Sequence, residues 1–125
     1  MGGMRAVFDT NILIDYLNGY EEAFRELENY SDLLVSRITW MEILAGASGP
    51  TEDRVAREFL WIFRIVEISP GVAEKAVHLR RERRLRLPDA IVLASAHENG
   101  CLIVTRDTTD FHTDWPEVRV PYQLP

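Results

Sequence analysis

Four short, almost wholly apolar runs set the tightest limit on what this chain can fold into. They are Arg5-Ala6-Val7-Phe8, Leu33-Leu34-Val35, Arg64-Ile65-Val66-Glu67-Ile68 and the stretch from Cys101 to Thr105. A β-strand turns successive side chains to opposite faces, so a run without polar alternation belongs to a strand buried on both sides. Between these runs the apolar spacing changes to that of helices. Asn11 to Asn18 carries Ile12, Leu13, Tyr16 and Leu17 on one side and stops at Gly19, and a second short helix is expected over Glu21 to Asn29. Thr39 to Ala47 reads as a helix closed by Gly46, Gly49 and Pro50, and Glu52 to Phe63 gathers Val55, Phe59, Ile62 and Phe63 on one face. A long helix runs from Val72 into a cluster of arginines, and another from Asp89 to about Glu98, where Asn99-Gly100 is a stop signal. Arg119-Val120 offers a short fifth strand. Strands alternating with helices imply an α/β protein whose central sheet, of four to five short and mostly parallel strands, is covered on both faces.

No repeat, linker or low-complexity segment divides the 125 residues, so one domain over 1–125 is expected, long enough to bury its own core. Met1-Gly2-Gly3 reads as an addition ahead of a natural start at Met4. It leads into a strand with no apolar signal region, and no apolar stretch approaches the roughly 20 residues that span a bilayer. Cys101 is the sole cysteine, which excludes an internal disulfide and fits a small apolar residue in a reducing, cytoplasmic setting. The net charge of −6 weighs against a polyanionic partner unless the acids are gathered around cations.

Four acids stand where such gathering can happen. In an open parallel sheet, ligands bind beyond the carboxyl ends of the strands. Asp9 follows the first strand and Asp107 the fourth; Glu42 lies early in the helix after the second strand, and Asp89 at the start of the helix feeding the fourth. Each has an ordinary structural explanation. Asp9-Thr10-Asn11 can cap a helix, Thr39-x-x-Glu42 fits a capping box, Asp89 after Pro88 suits a first helical turn, and Asp107 to Asp110 can form a turn. Together they describe an oxygen-only site: carboxylates converging on one edge repel unless cations sit between them, and oxygen ligands suit Mg²⁺ or Mn²⁺. Such a site can activate water and stabilise the leaving oxygen in phosphodiester hydrolysis.

The segments around these acids resemble the PIN-domain family, particularly VapC-type toxins of type II toxin–antitoxin systems. They are Val7-Phe8-Asp9-Thr10-Asn11-Ile12-Leu13-Ile14-Asp15, Ser36-x-x-Thr39-x-x-Glu42-Ile43-x-x-Gly46, Leu87-Pro88-Asp89-Ala90-x-x-Leu93-Ala94-x-Ala96 and Val104-Thr105-Arg106-Asp107-x-x-Asp110-Phe111. Their order and spacing span nearly the whole chain. The resemblance implies a three-layer α/β/α sandwich and a metal-dependent endoribonuclease with one or two Mg²⁺ or Mn²⁺ ions. Asp9, Glu42, Asp89 and Asp107 match the family's acidic quartet, Asp110 is a further candidate near the fourth position, and Asn11 and Thr105 match supporting positions. It also implies an RNA substrate, a homodimer and a cognate antitoxin that reaches the acids with an arginine.

Thirteen of the fourteen basic residues are arginine, and Arg80, Arg81, Arg83, Arg84 and Arg86 crowd the segment before Asp89. They read either as a basic rim for RNA phosphates or as a solvated helix face with Glu82 interleaved. Of the tryptophans, Trp61 is expected in packing or dimerisation, and Trp115, in Asp114-Trp115-Pro116, is expected to be the more exposed. His78, His97 and His112 lack metal-ligand spacing. A receiver domain is disfavoured because Lys75, the single lysine, lies in a helix. A dehalogenase-like phosphatase is disfavoured because Asp9-Thr10-Asn11 lacks a second acid. A non-catalytic module of the PIN fold and a DNA-directed nuclease of that fold remain the alternatives.

Overall fold

The computed structural model describes residues 4–125; Met1, Gly2 and Gly3, read above as an addition, lie outside the described residues. The elements in chain order are β1 (Arg5–Phe8), α1 (Thr10–Leu17), α2 (Glu21–Glu28), β2 (Asp32–Ser36), α3 (Arg37–Ala45) and α4 (Gly49–Leu60). They continue with β3 (Arg64–Val66), α5 (Pro70–Arg83), α6 (Leu87–Glu98), β4 (Leu102–Val104) and β5 (Val118–Arg119).

The five strands form one sheet in the order β3-β2-β1-β4-β5, and every pairing is parallel. The two-residue side-chain period then sorts the strands between two cores. Ala6 and Phe8 of β1, Val35 of β2 and Val104 of β4 face one side, where Ile12, Leu13, Leu27, Ile43, Phe59 and Leu60 close over them. Val7, Leu34 and Ile103 face the other, beneath Val72, Ala76 and Leu79 of α5 and Ala90, Leu93 and Ala94 of α6. The strand residues in both sets are fully buried, which is why the runs carry no polar alternation. The result is the expected three-layer α/β/α sandwich. Helix α6 is buried on most of its circumference, as its run of Ala, Val and Leu dictates.

Several boundaries differ from the sequence reading, each for a local reason. Helix α3 begins at Arg37, because Ser36 accepts a hydrogen bond from Ile38 N and takes the N-cap. The capping box expected between Thr39 and Glu42 is therefore not formed: Thr39 is already inside the helix, fully buried, and Glu42 points elsewhere. Helix α4 starts earlier than expected, with Pro50 in its first turn, and ends at Leu60. Trp61 is the C-cap residue there and is 89% exposed, so packing within this chain is not its role. Trp115 is instead half-buried, stacked on His112 with Arg83 over its ring. Cys101 is half-buried just before β4.

Two buried acids strap the chain beyond β4 onto the first helices. Asp15 in α1 accepts from the Arg106 guanidinium (Nη2 2.9 Å) and from Tyr122 Oη (2.9 Å). Glu26 in α2 accepts from Arg119 (Nε 2.7 Å, Nη2 2.9 Å) and Tyr30 Oη (2.7 Å). Their carboxylates are 4% exposed, so these pairs are fully hydrogen-bonded in a low-dielectric setting, and removal of one partner leaves a buried charge. The Arg106 strap fixes the loop after β4 against α1, and that loop carries part of the site described next.

Candidate functional site

The strand order reverses direction at β1. The chain moves outward from β1 to β2 and β3, then crosses back through α5 and α6 to place β4 on the other side of β1. A switch of this kind opens a crevice between the two central strands at their carboxyl ends. Asp9 leaves β1 there and Thr105 leaves β4, so two residues 96 apart in sequence meet across the crevice.

Asp9 is 7% exposed and held by three donors. Its Oδ1 accepts from Thr10 N (2.9 Å), and its Oδ2 accepts from Thr105 Oγ1 (2.8 Å) and Asn11 Nδ2 (3.2 Å). The first of these bonds makes Asp9 the N-cap of α1, so the capping reading and the site reading describe one side chain. Thr105 Oγ1 also accepts from Asp107 N (3.0 Å), while Asn11 Oδ1 accepts from Arg106 N (3.0 Å). Asn11 and Thr105 thereby stitch the loop after β1 to the loop after β4, and with them fix where Asp107 stands. Asp107 in turn holds its own loop, accepting from Thr109 N and Asp110 N at 3.0 Å each through Oδ1.

Asp89 enters from the first turn of α6, as Pro88 ahead of it foretold. Asp89, Asp107 and Asp110 bring one carboxylate oxygen each to within 4.8 Å of one another. Asp9 and Glu42 stand outside that tightest trio but share its field. Glu42, exposed on α3, accepts from Thr10 Oγ1 at 2.7 Å, and Thr10 Oγ1 lies 3.2 Å from Thr39 Oγ1. Thr10 and Thr39 stand in the segments that resemble the family, Thr39 there as a candidate cap, and their hydroxyls give both a place in this arrangement that the sequence did not assign.

The electrostatics follow from this convergence. Burial pushes the Asp9 carboxyl up to about 6, the bonds from Thr105 and Thr10 oppose that rise, and the charges of Asp107 and Glu42 add to it. Asp89 is likewise raised to about 6, by burial first and then by Asp9, with Arg86 opposing and Asp110 and Asp107 adding. Two carboxyls poised this high beside three other acids form a site short of positive charge. Its donors are hard oxygens only, and their spacing suits a divalent cation that keeps some waters.

The five arginines before Asp89 do not act as one patch. Arg80 donates to Leu85 O (3.3 Å), and Arg83, over the Trp115 ring, pairs with Glu117 (3.1 Å). Arg84 takes a left-handed backbone (φ 57°) that turns the chain out of α5, and its side chain is exposed, as is that of Arg81. Arg86 alone reaches the acids, with Nη2 3.0 Å from Asp110 Oδ2 and Nε 3.4 Å from Asp89 Oδ2.

The PIN-domain family model matches residues 6–113, a span that contains every acid of the crevice. The chain belongs to the PIN-domain family. Among solved structures, this PIN chain is 43% identical to a chain of a toxin–antitoxin complex from Klebsiella pneumoniae, with a TM-score of 0.89 over 95% of this chain and 99% of that one. It shares the fold of FitAcB from Neisseria gonorrhoeae (24% identity, TM-score 0.78, 97% and 100% coverage). It also shares the fold of DNA-bound VapBC from Salmonella typhimurium (21% identity, TM-score 0.77, 94% and 96% coverage). A search of curated proteins found no match. Among the described residues, no helix is long and apolar enough to cross a membrane.

Proposed function

We propose that this PIN-domain chain is a Mg²⁺- or Mn²⁺-dependent endoribonuclease, the toxin half of a toxin–antitoxin pair, acting in the cytoplasm. The observation that carries the reading is the convergence of Asp89, Asp107 and Asp110 within 4.8 Å at the β1–β4 crevice, beside a buried Asp9 raised to about 6. The 43% identity to a chain of a toxin–antitoxin complex supports the toxin assignment.

In this scheme Asp9, Glu42, Asp89 and Asp107 hold the ion or ions, and Asp110 joins them from the loop that Asp107 organises. Asn11 and Thr105 position Asp9 and Asp107 against each other, and Thr10 orients Glu42. A divalent ion bound there supplies Lewis acidity toward a phosphodiester and lowers the pKa of a water. Arg86 at the crevice and Arg84 two residues before it, both exposed, bind the flanking RNA phosphates.

An antitoxin has a seat close to this edge. Ile14 and Leu17 of α1 and Val55 of α4 are 45%, 38% and 47% exposed along a groove floored by Ile43 and Ala56. The groove matches the apolar face of a partner helix, and it runs along α1, the helix that Asp9 caps, and past Ile43, the neighbour of Glu42 in α3. Homodimerisation, which the family resemblance implies, gives the exposed Trp61 a use.

The test is cleavage of a labelled total-RNA pool by purified protein with Mg²⁺, Mn²⁺ or EDTA, with Asp9→Asn and a single-stranded DNA pool in parallel. Metal-dependent RNA fragments that vanish with EDTA and with the variant are expected. Cleavage confined to DNA would make this a DNA-directed nuclease. Faint fragments identical in every lane would leave a non-catalytic module of the PIN fold.

A further inference from the structure

We propose that Arg86 is the built-in counter-ion of the acidic crevice, occupying the Asp89–Asp110 edge until a divalent cation displaces it onto a substrate phosphate. The inference rests on the metal-nuclease reading above and adds a regulation of that same site.

Three observations lead to it. Among the described residues, Arg86 makes the only ion pairs to any of Asp9, Glu42, Asp89, Asp107 or Asp110. The oxygens it engages belong to Asp89 and Asp110, two of the three acids whose oxygens lie within 4.8 Å of one another. A guanidinium and a metal ion therefore compete for the same edge.

The third observation is an asymmetry in anchoring. Asp89 and Asp110 have side chains 15% and 30% exposed; one sits in the first turn of α6 and the other is tied through its backbone N–H to Asp107. The Arg86 side chain is 75% exposed, although its backbone is fixed as the N-cap of α6, its carbonyl accepting from Ala90 N at 2.9 Å. The acids stay and the cation moves. Leaving requires little of the guanidinium, because an ion pair so open to water is weak. A divalent ion among several carboxylates is held far more strongly. Once displaced, Arg86 remains tethered through its backbone at the start of α6, and the next anion within its reach is a phosphate, whose geometry a guanidinium fork matches. Arg86 thus raises the metal concentration the protein requires and couples metal entry to RNA binding.

The test measures Mn²⁺ binding to the full-length, RNA-free protein by electron paramagnetic resonance, comparing wild type with Arg86→Ala, Arg86→Lys and Arg81→Ala. Loss of a competing, exposed ion pair predicts Mn²⁺ binding about two- to fivefold tighter in Arg86→Ala. Arg86→Lys stays near wild type, and so does Arg81→Ala, which removes a neighbouring charge with no ion pair to the acids. At saturating Mn²⁺, Arg86→Ala should also bind a non-cleavable 2′-O-methyl RNA more weakly than wild type.

Equal Mn²⁺ affinity in wild type and Arg86→Ala would overturn the proposal, and weaker binding in the variant would make Arg86 an organiser of the ligands instead. Equal tightening by Arg81→Ala would reduce the effect to general charge. Unchanged RNA affinity would refute the transfer to phosphate. Absence of Mn²⁺ binding in every variant, wild type included, would instead remove the metal-nuclease reading and this proposal with it.

Discussion

Replacing Asp9 by asparagine, in the absence of metal, isolates the cost of holding a carboxylate at the bottom of the crevice. Asp9 is raised from an ordinary 3.8 to about 6, with burial as the largest cause. Between those values the folded protein keeps a proton that the unfolded chain has released, so stability falls as pH rises through the window. The penalty is absent below about pH 4 and, at about 1.4 kcal/mol per pH unit, approaches about 3 kcal/mol above pH 7. Asparagine is nearly isosteric, can still accept from Thr10 N, and never ionises. At pH 4.5 about 1 kcal/mol of this penalty is already present, and between pH 4.5 and pH 7.5 the variant should gain about a further 2 kcal/mol relative to wild type. Urea unfolding in EDTA at half-unit pH steps reads this difference directly. The groups with lowered values, such as Glu26 and Glu117, are common to both proteins and cancel. A difference that does not change with pH, or a variant that loses ground as pH rises, would refute the claim that burial and neighbouring acids dominate at Asp9.

Three further outcomes follow from the same geometry. Thr105→Val removes the donor to Asp9 Oδ2 and the acceptor for Asp107 N in a fully buried position, and should cost about 1–3 kcal/mol by denaturant unfolding. Asp15→Asn weakens the strap to Arg106 and Tyr122 and should cost about 2 kcal/mol; the same variant should lower Mn²⁺ affinity if that strap positions Asp107. Added Mn²⁺ at 100 times its dissociation constant should stabilise the wild type by about 2.7 kcal/mol at neutral pH, and by much less near pH 5, where Asp9 and Asp89 take up protons. A thermal-denaturation series across pH, with Asp9→Asn as the control, checks this.

The sandwich was legible because its strands are buried on both faces. Val7 and Ile103 serve one core while Phe8 and Val104 serve the other, and that double demand leaves runs of apolar residues no helix would require. The positions of Asp9, Asp89 and Asp107 were legible for a related reason: each sits where a strand ends or a helix begins, the places an open sheet turns toward ligands. The Thr39–Glu42 box misled because Ser36 offers an equally good cap three residues earlier, and local sequence does not rank the two. Partnerships across the chain were hidden altogether. Nothing near Arg83 in sequence announces Glu117, and nothing near Glu42 announces the hydroxyl of Thr10. Trp61 is open because α4 ends one residue before it, which leaves dimerisation rather than packing within the chain, and Trp115, expected to be the more exposed, is half-buried with Arg83 over its ring.

Anomalous diffraction from crystals grown with Mn²⁺ tests the central claim most directly. The account predicts a peak in the β1–β4 crevice in contact with carboxylate oxygens of Asp89 and Asp107, absent from crystals of Asp9→Asn or Asp89→Asn grown alongside. A peak bound only elsewhere on the surface, or none at saturating Mn²⁺, would contradict the assignment of these acids as a metal centre.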